Sequence, residues 1–165
     1  MSMPQMSVLR PAVLLGLSLG LFVSLESRAM SAEEAVPFPK LPDSAGAIAP
    51  DAPKTFTETK SGLKYRVLRK GSDKQPKATN TVKVNYHGWL PEGKVFDSSY
   101  KRGEPISFPL NGVIPGWTEG MQLVGEGGMI ELAIPSKLGY GDSGIPGTIP
   151  PKATLHFLVE LIEVK

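Results

Sequence analysis

One segment of this 165-residue chain could carry a nucleophile, because Gly141-Asp142-Ser143-Gly144 has the composition found around the reactive serine of some proteases. Such a serine needs a histidine to remove its proton and an aspartate to orient that histidine. The domain is too short for the two barrels on which that site is built, and His87 lies within a strand pattern. We therefore reject a serine protease.

The other polar residues also fall short of a catalytic or metal-binding set. Asp97 follows an apolar strand and could transfer protons, but it has no partner carboxylate or histidine nearby in sequence, so a structural hydrogen-bonding role fits better. His87 and His156 are far apart, and the absence of cysteine excludes disulfides, thiolate metal sites and a cysteine nucleophile. The Gly-rich run 125–128 does not open a helix, as a phosphate-binding loop would require. We predict no metal and no cofactor.

The remaining chemistry is apolar and aromatic, and it centres on one short predicted helix. Pro115 suits the first helical position, where its missing N–H would have had no partner. Trp117, Met121 and Val124 recur as one apolar stripe. Gly125 is placed to end the helix in a left-handed turn. Trp117 is then either core filler or the floor of a pocket, and the pattern alone leaves both open.

Strands and turns are predicted on both sides of this helix. Apolar and β-branched residues alternate with polar ones between Gly- and Pro-rich turns in the stretches 63–67, 82–86, 95–97, 105–110, 129–134 and 154–164. The last stretch is the strongest, because Leu155, Phe157, Val159 and Leu161 share one face. An antiparallel sheet with one helix packed across it follows, which is an α+β domain.

The N-terminal region predicts export. Arg10 precedes the apolar run 12–23, which is short for a membrane-spanning helix, and small residues follow at Ala29 and Ala32. Residues 1–32 are therefore predicted to be a signal peptide cleaved after one of these alanines, with an uncleaved anchor as the alternative. Removing them leaves a nearly neutral chain, which gives no reason to expect a nucleic-acid partner.

The region after the signal peptide has a different composition. Residues 33–58 are rich in Ala and Pro and lack apolar periodicity, so we predict a linker that is disordered or polyproline-like. The folded domain is predicted to span residues 59–165, which is long enough to bury one core.

Five blocks of sequence recur in the order and at the spacing of a known family. They are Val84-Asn85-Tyr86-His87-Gly88, Gly93-Lys94-Val95-Phe96-Asp97-Ser98-Ser99, Val113-Ile114-Pro115-Gly116-Trp117, Leu138-Gly139-Tyr140-Gly141 and Ile149-Pro150-Pro151-Lys152-Ala153-Thr154-Leu155. The chain from 59 to 165 thus resembles the FKBP-type peptidyl-prolyl cis-trans isomerases, in particular exported bacterial members. The resemblance implies a twisted antiparallel sheet half-wrapped around one short α-helix, with the active site between them.

The resemblance also assigns site residues. The positions that match the family's catalytic residues are Tyr86, Phe96, Asp97, Trp117, Tyr140 and Phe157. The positions that match its substrate-binding residues are Arg102, Ile106, Val113, Ile114 and Ile149. The resemblance makes Trp117 the pocket floor and implies that the Tyr140 hydroxyl binds the substrate carbonyl. The chain departs from the family's usual pattern at Ile106, where well-known members carry Phe, and at Ile145, where many carry a polar residue.

The implied function is a cofactor-free peptidylprolyl isomerase that accelerates rotation about X–Pro bonds in exported proteins by binding the twisted amide in an aromatic pocket. Its partners would be proline-containing peptides and unfolded or nascent exported proteins, with macrolide inhibitors as further candidate ligands. The alternative is a non-catalytic proline-peptide-binding or chaperone module that uses the same pocket. The expected location is the periplasm or cell envelope, with secretion or a membrane tether as alternatives. We predict a monomer, because a Pro-rich linker stands where many exported members carry a helical dimerisation domain.

Overall fold

The structure, a computed structural model, describes residues 35–165. The signal-peptide prediction for residues 1–32 lies outside the described residues. Within the described range, no helix combines the length and the apolar content needed to cross a membrane.

One antiparallel sheet forms the body of the described domain. Its strands are β1 (Thr57–Glu58), β2 (Lys64–Arg69), β3 (Thr81–Trp89), β4 (Val95–Ser98), β5 (Ile106–Pro109), β6 (Met129–Ile134) and β7 (Leu155–Val164). The spatial order is β1-β2-β6-β7-β3-β4, and β5 pairs with the first half of β3 while β4 pairs with its second half. All of these pairings are antiparallel, which confirms the predicted sheet.

Two α-helices accompany the sheet in the described residues, and they differ in role. The four-residue α1 (Ser99–Arg102) was not predicted; Ser98 caps its first turn and Gly103 ends it in a left-handed conformation. The longer α2 (Pro115–Met121) begins at the predicted proline and buries Trp117. Short 3₁₀ turns lie at Leu110–Gly112 and Ser136–Leu138.

The main core lies between α2 and one face of the sheet, and strand periodicity explains why. Along β3 buried and partly exposed residues alternate, so Val82, Val84 and Tyr86 all point toward this core. Gly120 lets α2 pack closely on β6, because a Cβ atom at this position would lie 2.7 Å from the Leu132 side chain. The structure therefore confirms the α+β class, with a helix against the inner face of a twisted sheet.

The predicted end of this helix is wrong. It ends at Met121, and the next N–H, that of Gln122, donates to the carbonyl of Glu119 only three residues back (3.2 Å), a tightening that closes the helix. Gly125 is outside the left-handed region. Glycine is required there for a different reason, since a side chain would overlap the Ser72 carbonyl.

The segment 35–56, which we name the strap, differs from the predicted linker because it packs on the outer face of the sheet. Arg66 of β2 holds it there. The guanidinium donates to the carbonyls of Val36 and Pro37, each at 2.7 Å, and its Nε donates to the Glu131 carboxylate at 2.6 Å. Arg66 is only 1% exposed. The strap is therefore bound mainly through its backbone carbonyls.

Apolar contacts extend the attachment of the strap. The rings of Phe38 and Phe56 lie 4.8 Å and 4.7 Å from the Arg66 guanidinium. A second apolar cluster on the outer face joins strap residues to the sheet, and its members are Leu41, Ile48, Ala52, Leu68, Trp89, Met129 and Leu158. Along β2 Lys64 is exposed to solvent, whereas Arg66, two residues further on the same face, is buried because the strap covers it.

Candidate active site

A cavity of about 770 Å³ opens between α2, the inner face of the sheet and the loop that follows β6. Every site residue predicted from the sequence lines this cavity. Its full lining is Tyr86, Phe96, Asp97, Arg102, Ile106, Phe108, Gly112, Val113, Ile114, Trp117, Tyr140, Ile145, Thr148, Ile149 and Phe157. The fold thus brings together side chains from β3, β4, α1, β5, α2, β7 and the loop.

Trp117 forms the floor of the cavity and belongs to the core as well. Its ring meets Tyr86, Phe157 and Phe108 edge to face, with centroid distances of 5.4, 5.3 and 5.8 Å and interplanar angles of 88°, 88° and 79°. These are favoured aromatic geometries. The indole is 4% exposed. These three rings therefore hold the floor in place, and the cavity is largely preformed.

Gly88 on β3 is a determinant of the cavity shape that the sequence analysis did not single out. Phe96 and Phe157 meet edge to face at 5.4 Å directly over this glycine. A Cβ atom there would lie 2.8 Å from an atom of each ring. Two aromatic walls can therefore approach each other only because the strand between them has no side chain at this position.

A polar cluster of three side chains lies at one end of the aromatic cavity. Arg102 of α1 donates to one oxygen of Asp97 (2.5 Å) and to the Tyr86 hydroxyl (2.7 Å). The Tyr86 hydroxyl in turn donates to the other oxygen of Asp97. Asp97 is therefore bonded at both oxygens by groups that the fold places around it.

The cluster fixes the protonation of its members. Burial acts to raise the pKa of Asp97, but the hydrogen bonds from Tyr86 and Arg102 outweigh it, and the pKa lies below the ordinary value of 3.8. Burial and the bond to Asp97 raise the pKa of Tyr86 above 10.0. At neutral pH Asp97 is thus an ionised acceptor, and Tyr86 is a protonated donor.

The rim of the cavity offers apolar and hydrogen-bonding groups to solvent. Tyr140, Ile145 and Ile106 are 40%, 36% and 36% exposed. The loop bearing the first two is closed by paired backbone bonds between Ile145 and Ile149, each 2.8 Å. Within the described residues, the backbone N–H of Ile114 donates to no protein acceptor. An extended ligand could therefore find both an aromatic hollow and a free backbone donor at its edge.

A sequence profile described as "FKBP-type peptidyl-prolyl cis-trans isomerase" matches residues 72–162, more than half of the chain. The chain belongs to this family. The match includes β3 to β6 and most of β7, and therefore every residue that lines the cavity.

Individual relatives agree with this family membership. The domain is 56% identical over 105 residues to the FKBP-type peptidyl-prolyl cis-trans isomerase FkpA of Escherichia coli K12, a match that covers 64% of this chain and 38% of that protein. It is 51% identical over 111 residues to a probable FKBP-type isomerase of Haemophilus influenzae, covering 67% of this chain and 46% of that protein. The chain thus spans less than half the length of these relatives.

Solved structures of FKBP-type proteins also match this fold. The crystal structure of FkpA from Escherichia coli aligns with a TM-score of 0.65 at 53% identity, covering 67% of this chain and 51% of that one. The crystal structure of AtFKBP13 aligns with a TM-score of 0.61 at 35% identity, covering 67% of this chain and 98% of that one. The second alignment shows that the matching region can constitute nearly a whole FKBP-type chain.

Three lining residues of this FKBP-type domain were missed by the sequence analysis: Phe108, Gly112 and Thr148. Phe108 shares a strand with Ile106, so the strand pattern could have identified it, and its ring packs against Tyr86 at 5.9 Å. Gly112 and Thr148 lie in turns, where no periodicity indicates which way a residue faces. The catalytic and binding roles of the predicted residues stay predictions.

The state of Asp97 predicts the pH dependence of any activity at this cavity. A depressed pKa means that the ionised contact is present above the ordinary Asp pKa and lost as pH falls through the lower, folded value. Neither His87 nor His156 lines the cavity. We expect kcat/KM, corrected for the folded fraction, to be constant from about pH 8 to about pH 5. A titration with a midpoint near 6.5 would contradict this, because it would implicate a histidine.

Proposed function

We propose that this FKBP-type domain catalyses cis–trans isomerisation of X–Pro bonds by binding the twisted amide in its aromatic cavity. The observation that carries the proposal is the lining itself. Aromatic rings form its floor and walls, and the polar cluster holds its one carboxylate, Asp97, ionised and hydrogen-bonded at both oxygens. Such a lining suits a reaction that forms and breaks no covalent bond.

Desolvation supplies the driving force for the proposed catalysis. Amide resonance makes unaided X–Pro rotation take tens to hundreds of seconds. When the bond twists, the nitrogen lone pair localises and the carbonyl oxygen loses negative charge. Transfer from water into an apolar cavity therefore costs the twisted form less desolvation free energy than the planar form. A cavity floored by Trp117 and walled by Phe96 and Phe157 would therefore bind it preferentially. About a millionfold acceleration needs roughly 8 kcal/mol of such differential binding.

Polar groups would orient the peptide in this mechanism. The Tyr140 hydroxyl at the rim would donate to the carbonyl of the X–Pro amide. The free N–H of Ile114 would donate to the residue after proline, which holds the chain while the bond rotates. Ile106, Val113 and Ile149 would contact the residues that flank the X–Pro bond. Because Ile106 stands where well-known members carry Phe, the cavity would accept a wider range of residues next to the proline. Each of these roles is implied by the family resemblance and is supported by the residue's position in the cavity lining.

Asp97 would act through its charge and not as a proton-transfer group. A general base is most effective with a pKa near the working pH, whereas the pKa of Asp97 lies below 3.8. Both of its oxygens already accept hydrogen bonds, from Arg102 and Tyr86. Its fixed negative charge near the twisting amide would stabilise the partial positive charge that the carbonyl carbon gains as resonance is lost.

A protease-coupled assay on a short X–Pro peptide tests the proposal. We expect the wild-type chain to accelerate isomerisation and Phe96→Ala to lower kcat/KM about 10- to 100-fold, roughly 1.4–2.7 kcal/mol, because one wall is removed. Phe38→Ala is the matched control, since this phenylalanine lies on the strap, away from the cavity, and should leave kcat/KM unchanged.

Two outcomes of this assay would contradict the proposal. Equal rates for Phe96→Ala and Phe38→Ala would show that the aromatic wall does not contribute to catalysis. A wild-type rate no faster than the uncatalysed one would remove catalysis itself. Suppressed aggregation of an unfolded client without turnover would then favour the binding-module alternative.

We further propose that the natural substrates are unfolded or nascent exported proteins. This proposal is argued only from the sequence pattern of residues 1–32, a basic residue followed by an apolar run, and not from any contact within the domain. N-terminal sequencing of the protein recovered from the periplasm should find a start at Met30 or Glu33. An intact Met1 in a membrane fraction would instead indicate an uncleaved anchor, and recovery from the cytoplasm would overturn export.

A further inference from the structure

Helix α1 carries Arg102 to the cavity but cannot fix its own orientation. A four-residue helix is far below the length at which helices are stable alone, so contacts outside it must hold it. One such contact lies on its inner side, where the buried Ser99 hydroxyl accepts from the N–H of Tyr86 (2.9 Å). The position of the outer side of α1 depends on its next residue, Tyr100.

Tyr100 does not line the cavity, and its side chain is hydrogen-bonded to a carboxylate of β7 that does not line it either. Its hydroxyl donates to Oε2 of Glu160 on β7 at 2.5 Å, and Glu160 is 8% exposed. Burial and this carboxylate raise the pKa of Tyr100 far above its usual range, so the hydroxyl remains a donor. Residues two apart on a helix face different sides, and Tyr100 can therefore anchor α1 while Arg102 reaches Asp97.

The Glu160 carboxylate is itself held from several directions. Its other oxygen accepts from Arg69 (2.8 Å) and from the backbone N–H of Gly46 in the strap (3.0 Å). Arg69 also donates to the carbonyls of Ala47 (2.9 Å) and Gly127 (3.0 Å). An almost fully buried carboxylate with this set of partners is a fixed point against which a short helix can be located.

We propose that Tyr100 and Glu160 are positioning residues for the active site, because their hydrogen bond holds α1 so that Arg102 stays on Asp97 and Tyr86. The proposal rests on the proposed function for its catalytic consequence. The strap contributes through Gly46, which links a segment on the outer face of the sheet to the polar cluster of the inner cavity.

The test is Tyr100→Phe, which removes one hydroxyl and keeps the ring, so that the fold is retained. The first readout needs no substrate: NMR of the Asp97 carboxyl carbon across an acid titration. We expect its midpoint to rise toward 3.8 as Arg102 loosens. The second readout is the X–Pro peptide assay, in which kcat/KM should fall about tenfold, less than the roughly hundredfold loss for a fully misplaced group. Glu160→Gln should move both readouts in the same directions.

Matched controls separate positioning from general damage. Tyr65→Phe removes a hydroxyl from a partly buried tyrosine of β2, and Glu163→Gln removes a charge from an exposed ion pair on the same strand as Glu160. Neither should move the Asp97 midpoint or kcat/KM. An unchanged midpoint in folded Tyr100→Phe would overturn the proposal, and so would a shifted midpoint with unchanged kcat/KM. If the wild type has no turnover but the midpoint still shifts, the proposed function fails while the positioning of Arg102 stands.

Discussion

Replacing Arg66 with leucine is expected to lower the free energy of unfolding by about 3–5 kcal/mol, the usual effect of removing one partner from a buried ion pair. The variant leaves the Glu131 carboxylate, 4% exposed, without its 2.6 Å partner. It also leaves the carbonyls of Val36 and Pro37 without their donors. Urea unfolding followed by far-UV circular dichroism measures the loss.

The pH dependence of this loss identifies its cause. Burial raises the pKa of Glu131 even beside Arg66, and loss of the guanidinium would raise it further. A raised folded pKa gives stability that is present at low pH and lost as pH rises through it. The deficit of Arg66→Leu should therefore be smaller at about pH 5 than at about pH 8.

A second ion pair on the same strand provides the control. Lys64 of β2 meets Glu58 at 3.7 Å with both side chains more than half exposed. Lys64→Ala should cost less than about 1 kcal/mol and should show no such pH dependence. If Arg66→Leu costs no more than Lys64→Ala, the strap is not held by Arg66 and the domain boundary predicted near residue 59 would stand.

The contrast between the strap and the sheet shows what the sequence could predict. Alternation along β3 and β7 identified the strands, because burying one face of a sheet imposes a period of two on side chains. The strap is held by carbonyl groups, which every residue carries, and by a few scattered apolar residues. No side-chain pattern reports such an attachment. Only a buried arginine, which needs many acceptors, indicates it, and its burial is not visible in the sequence.

The candidate site divides in a similar way. Periodicity placed Tyr86 and Phe157 on the inner face, but it could not separate a packed core from a cavity, and the pocket came from the family resemblance. Helix α1 escaped prediction because four residues contain no helical repeat. Tyr100 and Gly46 both bond to Glu160, which lies 60 and 114 residues away from them, so no local sequence pattern can indicate these contacts.

Trp117 is where core and cavity coincide, and the two roles predict different losses. As core, it is nearly fully buried among three aromatic rings, so Trp117→Ala should cost about 3–5 kcal/mol of unfolding free energy. As the floor of the cavity, it should also support catalysis. We expect kcat/KM per folded molecule to fall at least about a hundredfold, roughly 2.7 kcal/mol, in the peptide assay at low temperature.

Met121 allows the two losses to be separated. It lies one turn further along α2, is fully buried, and does not line the cavity. Met121→Ala should cost about 2–5 kcal/mol of stability, comparable to the loss at Trp117, yet leave kcat/KM within about threefold of wild type. Trp117→Leu, which keeps an apolar floor, provides a better-folded variant with an intermediate activity. If the tryptophan variants lose stability but keep wild-type kcat/KM, as Met121→Ala should, then Trp117 is core filler and the cavity does its work without an aromatic floor.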